Sequence, residues 1–291
     1  MNRRRFLSIS ACALGAPSLA DTVTWSGYAL GAEVSIKVRA PETLALNSIN
    51  RVRERLSQVE SCASLYDPNS ELSHLNRDKS IQASGMMFDL VNTSTWIHDL
   101  TLGRFDPTIQ TAWLDFANGH RSDIRSLWAG VEITDTHVIL PQDVSLSFNG
   151  IAQGYATDVV RLELEKMGFE NVLVNIGEYY GQGGPWSIGI ADPIGGLIKS
   201  VEISDQAIAT SSPKAMMIAE GQGHIIDPIS DAPYPWSTLS VTASTAMLAD
   251  GLSTGFSLLS EQDIRSVIND SLLKIGVTGL GTDGHVFSVD A

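Results

Sequence analysis

The stretch "NVLVNIGEYYGQGGPWSIGIADPIGGLIKSVEISDQAIATS", residues 171–211, holds four short runs that read as strands: "NVLVNIG", "PWSIGIADP", "KSVEIS" and "QAIATS". Each is rich in β-branched or alternating apolar residues, and Gly, Pro and Asp punctuate the gaps between them. Strands following one another in this way, with only a few helices around them, read as α+β rather than as regularly alternating βαβ units. Upstream, "NGIAQGYATDVVRLELEKMGF" (149–169) predicts a loop and then a helix ending near Gly168. Val144, Leu146 and Phe148 alternate with polar residues before it, as in a half-buried strand. Further helices are predicted from Leu44 to Val59 and from Met86 to Leu100, where apolar residues recur mostly at three and four. Downstream, "ASTAMLADGLSTGF" (243–256) reads as a helix of small and apolar residues, followed by a shorter helix at Glu261–Ile268 and two strands around the Asp283-Gly284 turn. No repeat or Pro/Ser-rich linker interrupts the chain, so residues 21–291 read as one domain.

Hydrophobic residues at 43% and charged residues at 18% indicate a folded globular protein of 291 residues. Residues 1–20, "MNRRRFLSISACALGAPSLA", carry consecutive arginines, a short apolar stretch and small residues around a cleavage point. They read as a twin-arginine leader, which predicts export to the periplasm. The apolar stretch is too short to span a bilayer, and no later one is long enough. Cleavage after Ala20 leaves Cys62 as the only cysteine, so no internal disulfide can form. Three arginines and no acids leave with the leader, which moves the formal charge from −14 to −17. That charge disfavours nucleic acid, and it requires any polyanionic ligand to be neutralised locally by a cation or by backbone N–H groups.

The six histidines form neither HExxH nor a zinc-like cluster with cysteine. What carries chemistry is a set of oxygen-rich loops. "GRFDPT" (103–108) contains Phe105, Asp106 and Thr108, and "NGIAQG" brackets Ala152 and Gln153 with glycines. "HIIDP" (224–228) places His224 and Asp227 at a strand end. In the helix at 243–256, Asp250 and Thr254 stand four residues apart, which puts both oxygens on one face.

In order, "SLYDPNSELSHLN", "GRFDPT", "NGIAQGYATD", "NVLVNIG", "AIATSS", "HIIDP" and "ADGLST" resemble the motifs of the ApbE family of FAD:protein FMN transferases. The resemblance implies an α+β fold related to the tunnelling fold, with FAD in a cleft and a magnesium ion near its pyrophosphate. It also implies transfer of FMN to a threonine hydroxyl of a partner protein, with release of AMP. Carried onto this chain, it makes the Asp250 carboxylate, the Thr254 hydroxyl and the Ala152 carbonyl the metal ligands. Ser64, Tyr66, Glu71, Phe105, Asp106, Thr108, Gln153, Thr210 and Ser211 would contact the cofactor. His224 would handle the proton, with Asp227 orienting it or binding the cofactor.

Three positions depart from the family's usual spelling: Gln153 stands where it has lysine, Glu178 falls within its "GGD", and Ser212 replaces the glycine of its "TSG". With its leader, the chain looks most like the NosX-like branch, accessories that supply flavin to a membrane flavoprotein of nitrous oxide respiration. Two other readings are compatible with the same residues: a hydrolase giving FMN and AMP, and a non-catalytic FAD-binding or flavin-delivery protein.

Overall fold

The structure is a computed structural model that describes residues 8–10, 22–39, 42–120 and 124–290. A nine-stranded sheet runs through it, and its strands are neighbours in the order in which they occur along the chain. They are Ser8–Ser10, Thr22–Ala29, Ala32–Arg39, Val172–Asn175, Tyr179–Gln182, Gln206–Ser211, Trp236–Ala243, Gly276–Gly281 and Val286–Val289. Every neighbouring pair is antiparallel. The α+β expectation therefore holds, and helices enter as insertions between successive strands.

The first and largest insertion, between Arg39 and Val172, supplies helices Glu42–Ala63, Gly85–Leu100 and Ala152–Lys166. The second, between Ala243 and Gly276, supplies Ala246–Phe256 and Glu261–Asp270. The helices pack on one face of the sheet, where Val172, Val174, Ala207 and Ala209 point into the main core. Leu173 and Ile208 point the opposite way, as strand alternation requires. They pack there against Trp186, Ile188, Ile190 and Ile203 of a hairpin formed by Trp186–Asp192 and Gly196–Ile203.

Ala246–Phe256 is buried along almost its whole length, so it can have no polar side unless something inside the protein meets it. Helix Ala152–Lys166 does so. Gly154 lies so close that a Cβ built there would sit 2.3 Å from the Ala246 carbonyl oxygen. Asp158, one turn further on, accepts hydrogen bonds from the N–H groups of Ala246 (2.9 Å) and Met247 (2.8 Å). These are donors that a helix start cannot satisfy within itself.

The helices predicted near 44–59, 86–100, 149–168, 243–256 and 261–268 are all present. The predicted strand at Val144–Phe148 is not. Val144, Leu146 and Phe148 are buried in alternation, but no strand ladder runs beside them. A side chain takes the ladder's place: Asn76 donates to the Leu146 carbonyl (2.8 Å) and accepts from the Leu146 N–H (2.7 Å). The opening hairpin, by contrast, went unread in the sequence. Its turn is Leu30-Gly31, with both residues at positive φ, instead of the usual Asn-Gly. Of the expected leader, Ser8–Ser10 is described and pairs with Thr22–Ala29; the remainder of residues 1–20 lies outside the described residues. Among the described residues no helix is long and apolar enough to cross a membrane.

Because no space exists for a methyl group at the helix crossing, Gly154→Ala will lower stability by roughly 1–3 kcal/mol. This will appear as a reduced denaturation midpoint with an unchanged slope in urea.

Candidate active site

A cleft of about 440 Å³ opens where the N-terminal turn of Ala152–Lys166, helix Ala246–Phe256 and the end of strand Gln206–Ser211 meet the loops at 104–107 and 224–226. Tyr66, Phe105, Asp106, Gln153, Thr210, Ser211, His224, Asp250 and Thr254 all line it. Segments nearly two hundred residues apart thus bring the predicted residue types to one cavity.

At its floor, the Asp250 Oδ2 accepts from the Gly154 N–H at 2.9 Å, while Oδ1 has no donor among the described residues. Thr254 Oγ1 lies 3.5 Å from the Ser211 hydroxyl, which also meets the Ser253 hydroxyl at 2.8 Å. Gly150 backs this group so closely that a Cβ there would approach Thr254 Oγ1 to 2.9 Å. Ala152 is buried between Gly150 and Gln153, both of which line the cleft. A carboxylate that keeps one oxygen without a donor in a cleft also lined by hydroxyl groups is a donor set suited to a hard divalent cation such as magnesium.

Burial raises the Asp250 carboxyl to about 7, against the lowering effect of the Gly154 N–H. Glu178 also lines the cleft; burial, and then the charge of Asp250, raise it well above the usual carboxylate range. Burial raises Asp158 to about 6. His224 moves the other way, since burial lowers its pKa and keeps the imidazole neutral. Its Nδ1 is buried without a partner among the described residues.

Some predicted residues do not line the cleft. Glu71 accepts from the N–H and hydroxyl of Ser84, both at 2.6 Å, and so secures the start of helix Gly85–Leu100. Ser64 accepts from the N–H groups of Tyr66 and Asp67 and shapes the turn that carries the Tyr66 ring to the rim. The Thr108 hydroxyl donates to Asp106 Oδ1 at 2.6 Å and accepts from the Leu127 N–H, which leaves Asp106 Oδ2 buried and unpaired at the cleft wall. Asp227 pairs with Arg104 and accepts from the Ile229 and Ser230 N–H groups. Its contacts tie the two loops together and leave the His224 ring unoriented by it.

The departures from the family's spelling have structural partners. Gln153 packs against Gly177, where a Cβ would come within 2.5 Å of its amide and φ is +90°. The Ser212 hydroxyl meets Thr238 at 2.7 Å, and Thr238 in turn donates to the buried Asp192. Sequence reasoning passed over Asp158, Arg104 and Glu178 as site-forming residues. The Asp158 position within "NGIAQGYATD" was its only signal.

A sequence model of the ApbE family matches residues 30–277. The chain belongs to the ApbE family. Among its relatives, the FAD:protein FMN transferase of Vibrio cholerae serotype O1 is 28% identical over 85% of this chain and 84% of that protein. The FAD:protein FMN transferase of Haemophilus influenzae is 26% identical over 92% and 88%. The solved structure of the flavin transferase ApbE from Vibrio cholerae superposes with a TM-score of 0.79 at 24% identity, covering 93% of this chain and 97% of that one. The apo flavinyl transferase ApbE of Pseudomonas stutzeri gives 0.80 at 22% identity over 94% and 96%. The fold is therefore that of the ApbE proteins.

The raised carboxylates carry a pH dependence. A group whose folded pKa lies above its unfolded value, 3.8 for the two aspartates and 4.5 for Glu178, contributes stability below that value, and the contribution is lost as pH rises through the folded pKa. Asp158, Asp250 and Glu178 all act in this direction. His224, with its lowered pKa, acts the other way, but three acids outweigh one imidazole, so the melting temperature of FAD-free, cation-free protein will fall as pH rises from about 4 to about 7.

Proposed function

We propose that this protein transfers FMN from FAD to a threonine hydroxyl of a partner protein, with magnesium at the cleft and AMP as the released product. The observation that carries the reading is the convergence of Phe105, Asp106, Gln153, Thr210, His224 and Asp250 on one cavity, in a family whose curated relatives are named FAD:protein FMN transferases.

Asp250 and Thr254 would hold the cation, with the carbonyl of Ala152 as a third ligand. When bound there, the cation supplies neutralisation of charge on the pyrophosphate oxygens. The chain's own residues do the remaining work. The Thr210 and Ser211 hydroxyls and the open Asp106 carboxylate oxygen offer polar contacts that fix the dinucleotide, and Phe105 and Tyr66 offer ring surfaces. The acceptor oxygen forms a bond to the FMN-side phosphorus while the bond from that phosphorus to the bridging oxygen breaks, and AMP departs with the bridging oxygen. His224, neutral and at the cleft wall, takes the hydroxyl proton.

The arginines and small residues of the leader support export by the twin-arginine route to the periplasm. We take the acceptor to be an exported or membrane flavoprotein, of the kind that serves nitrous oxide respiration, on the strength of the NosX-like character of the chain.

The test incubates purified protein with FAD, magnesium and a threonine-bearing acceptor, and follows acceptor mass, AMP and free FMN together. The expected result is an FMN mass gain on the acceptor matched by AMP. Free FMN without mass gain would identify a hydrolase, and unchanged FAD a binding protein. His224→Gln will lower the transfer rate by about 10²–10⁴-fold with FAD affinity retained. Asp250→Ala will abolish magnesium-dependent AMP release.

A further inference from the structure

Glu178 is the buried carboxylate for which the transfer reaction has no use. It is 8% exposed and lines the cleft with the 5% exposed Asp250. The structure holds it in place from two sides. Its Oε2 accepts from the Thr210 N–H at 3.1 Å, and its main-chain carbonyl accepts from the Thr157 hydroxyl at 3.1 Å, on the same helix that binds Asp250 through Gly154. Its Oε1, like Asp250 Oδ1, has no donor among the described residues.

Two buried carboxyls, each keeping an oxygen open on the cleft, carry their negative charge at a cost unless a positive charge meets them. The described residues lining the cleft include one permanent cation, Arg104, and it is spent on Asp227. Where the resemblance led to the expectation of a lysine, the cleft has the neutral Gln153. A positive charge that favours their ionised form can come with a ligand. Among the groups lining the cleft, Glu178 and Asp250 offer two carboxylates and Thr254 a hydroxyl. That is a hard donor set, with enough negative charge to balance a divalent cation without help from a phosphate.

We propose that Glu178 is a second carboxylate ligand of the cleft's cation, so that this protein binds Mg²⁺ or Mn²⁺ before FAD and in its absence. The inference rests on the reading that Asp250 and Thr254 hold a cation. A cleft with a single carboxylate depends on substrate phosphate to complete its hold on magnesium; with Glu178 added, cation binding and FAD binding become separable.

The test titrates Mn²⁺ into FAD-free protein and reads the bound ion from the loss of the free-Mn²⁺ electron paramagnetic resonance signal. Wild type, Glu178→Gly, Glu178→Gln and Asp250→Asn are compared, and melting temperature with and without Mn²⁺ checks that each is folded. Glutamine keeps an acceptor for the Thr210 N–H while removing the charge, so it separates a ligand from a structural cap. Wild type is expected to bind one ion, with both Glu178 variants weaker by at least about tenfold and the Mn²⁺-induced rise in melting temperature reduced in parallel. Equal Mn²⁺ affinity in wild type and both Glu178 variants, with binding abolished in Asp250→Asn, would overturn the role of Glu178 and leave the cation site standing. Failure of wild type to bind Mn²⁺ without FAD would also overturn the inference. If Asp250→Asn then processed FAD as well as wild type, the cation site itself would fall.

Discussion

Helices Ala152–Lys166 and Ala246–Phe256 exchange carboxylates, and the site depends on that exchange. Asp158 of the first accepts from the opening N–H groups of the second. Asp250 of the second accepts from the Gly154 N–H in the opening turn of the first. Each helix start carries unsatisfied donors and a partial positive charge, so each is a natural place for a buried anion. The crossing is close because Gly154 has no side chain. The cost is visible in the raised pKa values of both carboxyls, since burial opposes their charge even where N–H groups support it. The crossing point brings Gln153, Asp250 and Thr254 to the ends of the central strands. Thr157, which anchors the Glu178 carbonyl, lies on the first of these helices.

The cleft is acidic in an already acidic protein. Asp106, Glu178 and Asp250 line it, while Arg104, the one arginine among the described lining residues, is held by Asp227. A dinucleotide with a pyrophosphate gains no cationic partner from such a wall. The Arg104–Asp227 pair serves a different end, tying the loop before Asp106 to the loop after His224.

Much of this was legible in the chain. The helix at Gly85–Leu100 and the one ending near Gly168 announce themselves by period and by terminal signals, and the strand at Gln206–Ser211 has the boundaries its residues predict. Val144–Phe148 misled because alternation reports burial on one side, and a side-chain clamp from Asn76 meets that requirement as well as a neighbouring strand does. The hairpin at Thr22–Arg39 was missed because its turn places Leu30 at positive φ, a conformation that leucine does not signal. Glu178 read as a lost glycine. Only the fold turns that loss into a buried acid facing Asp250.

By itself, the sequence determined the α+β class, most helix positions, the order of the motifs and the pairing of Asp250 with Thr254 on one helical face. These follow from local periodicity and from spacing within a single element, which no distant residue can alter. The tertiary structure decided which oxygens are free. Glu71, Thr108 and Asp227 carry the right chemistry but spend it on Ser84, Asp106 and Leu127, and Arg104, while Asp106, Glu178 and Asp250 each keep an oxygen open. Hydrogen-bond satisfaction is a property of neighbours, and in this protein the deciding neighbours lie up to 123 residues away along the chain.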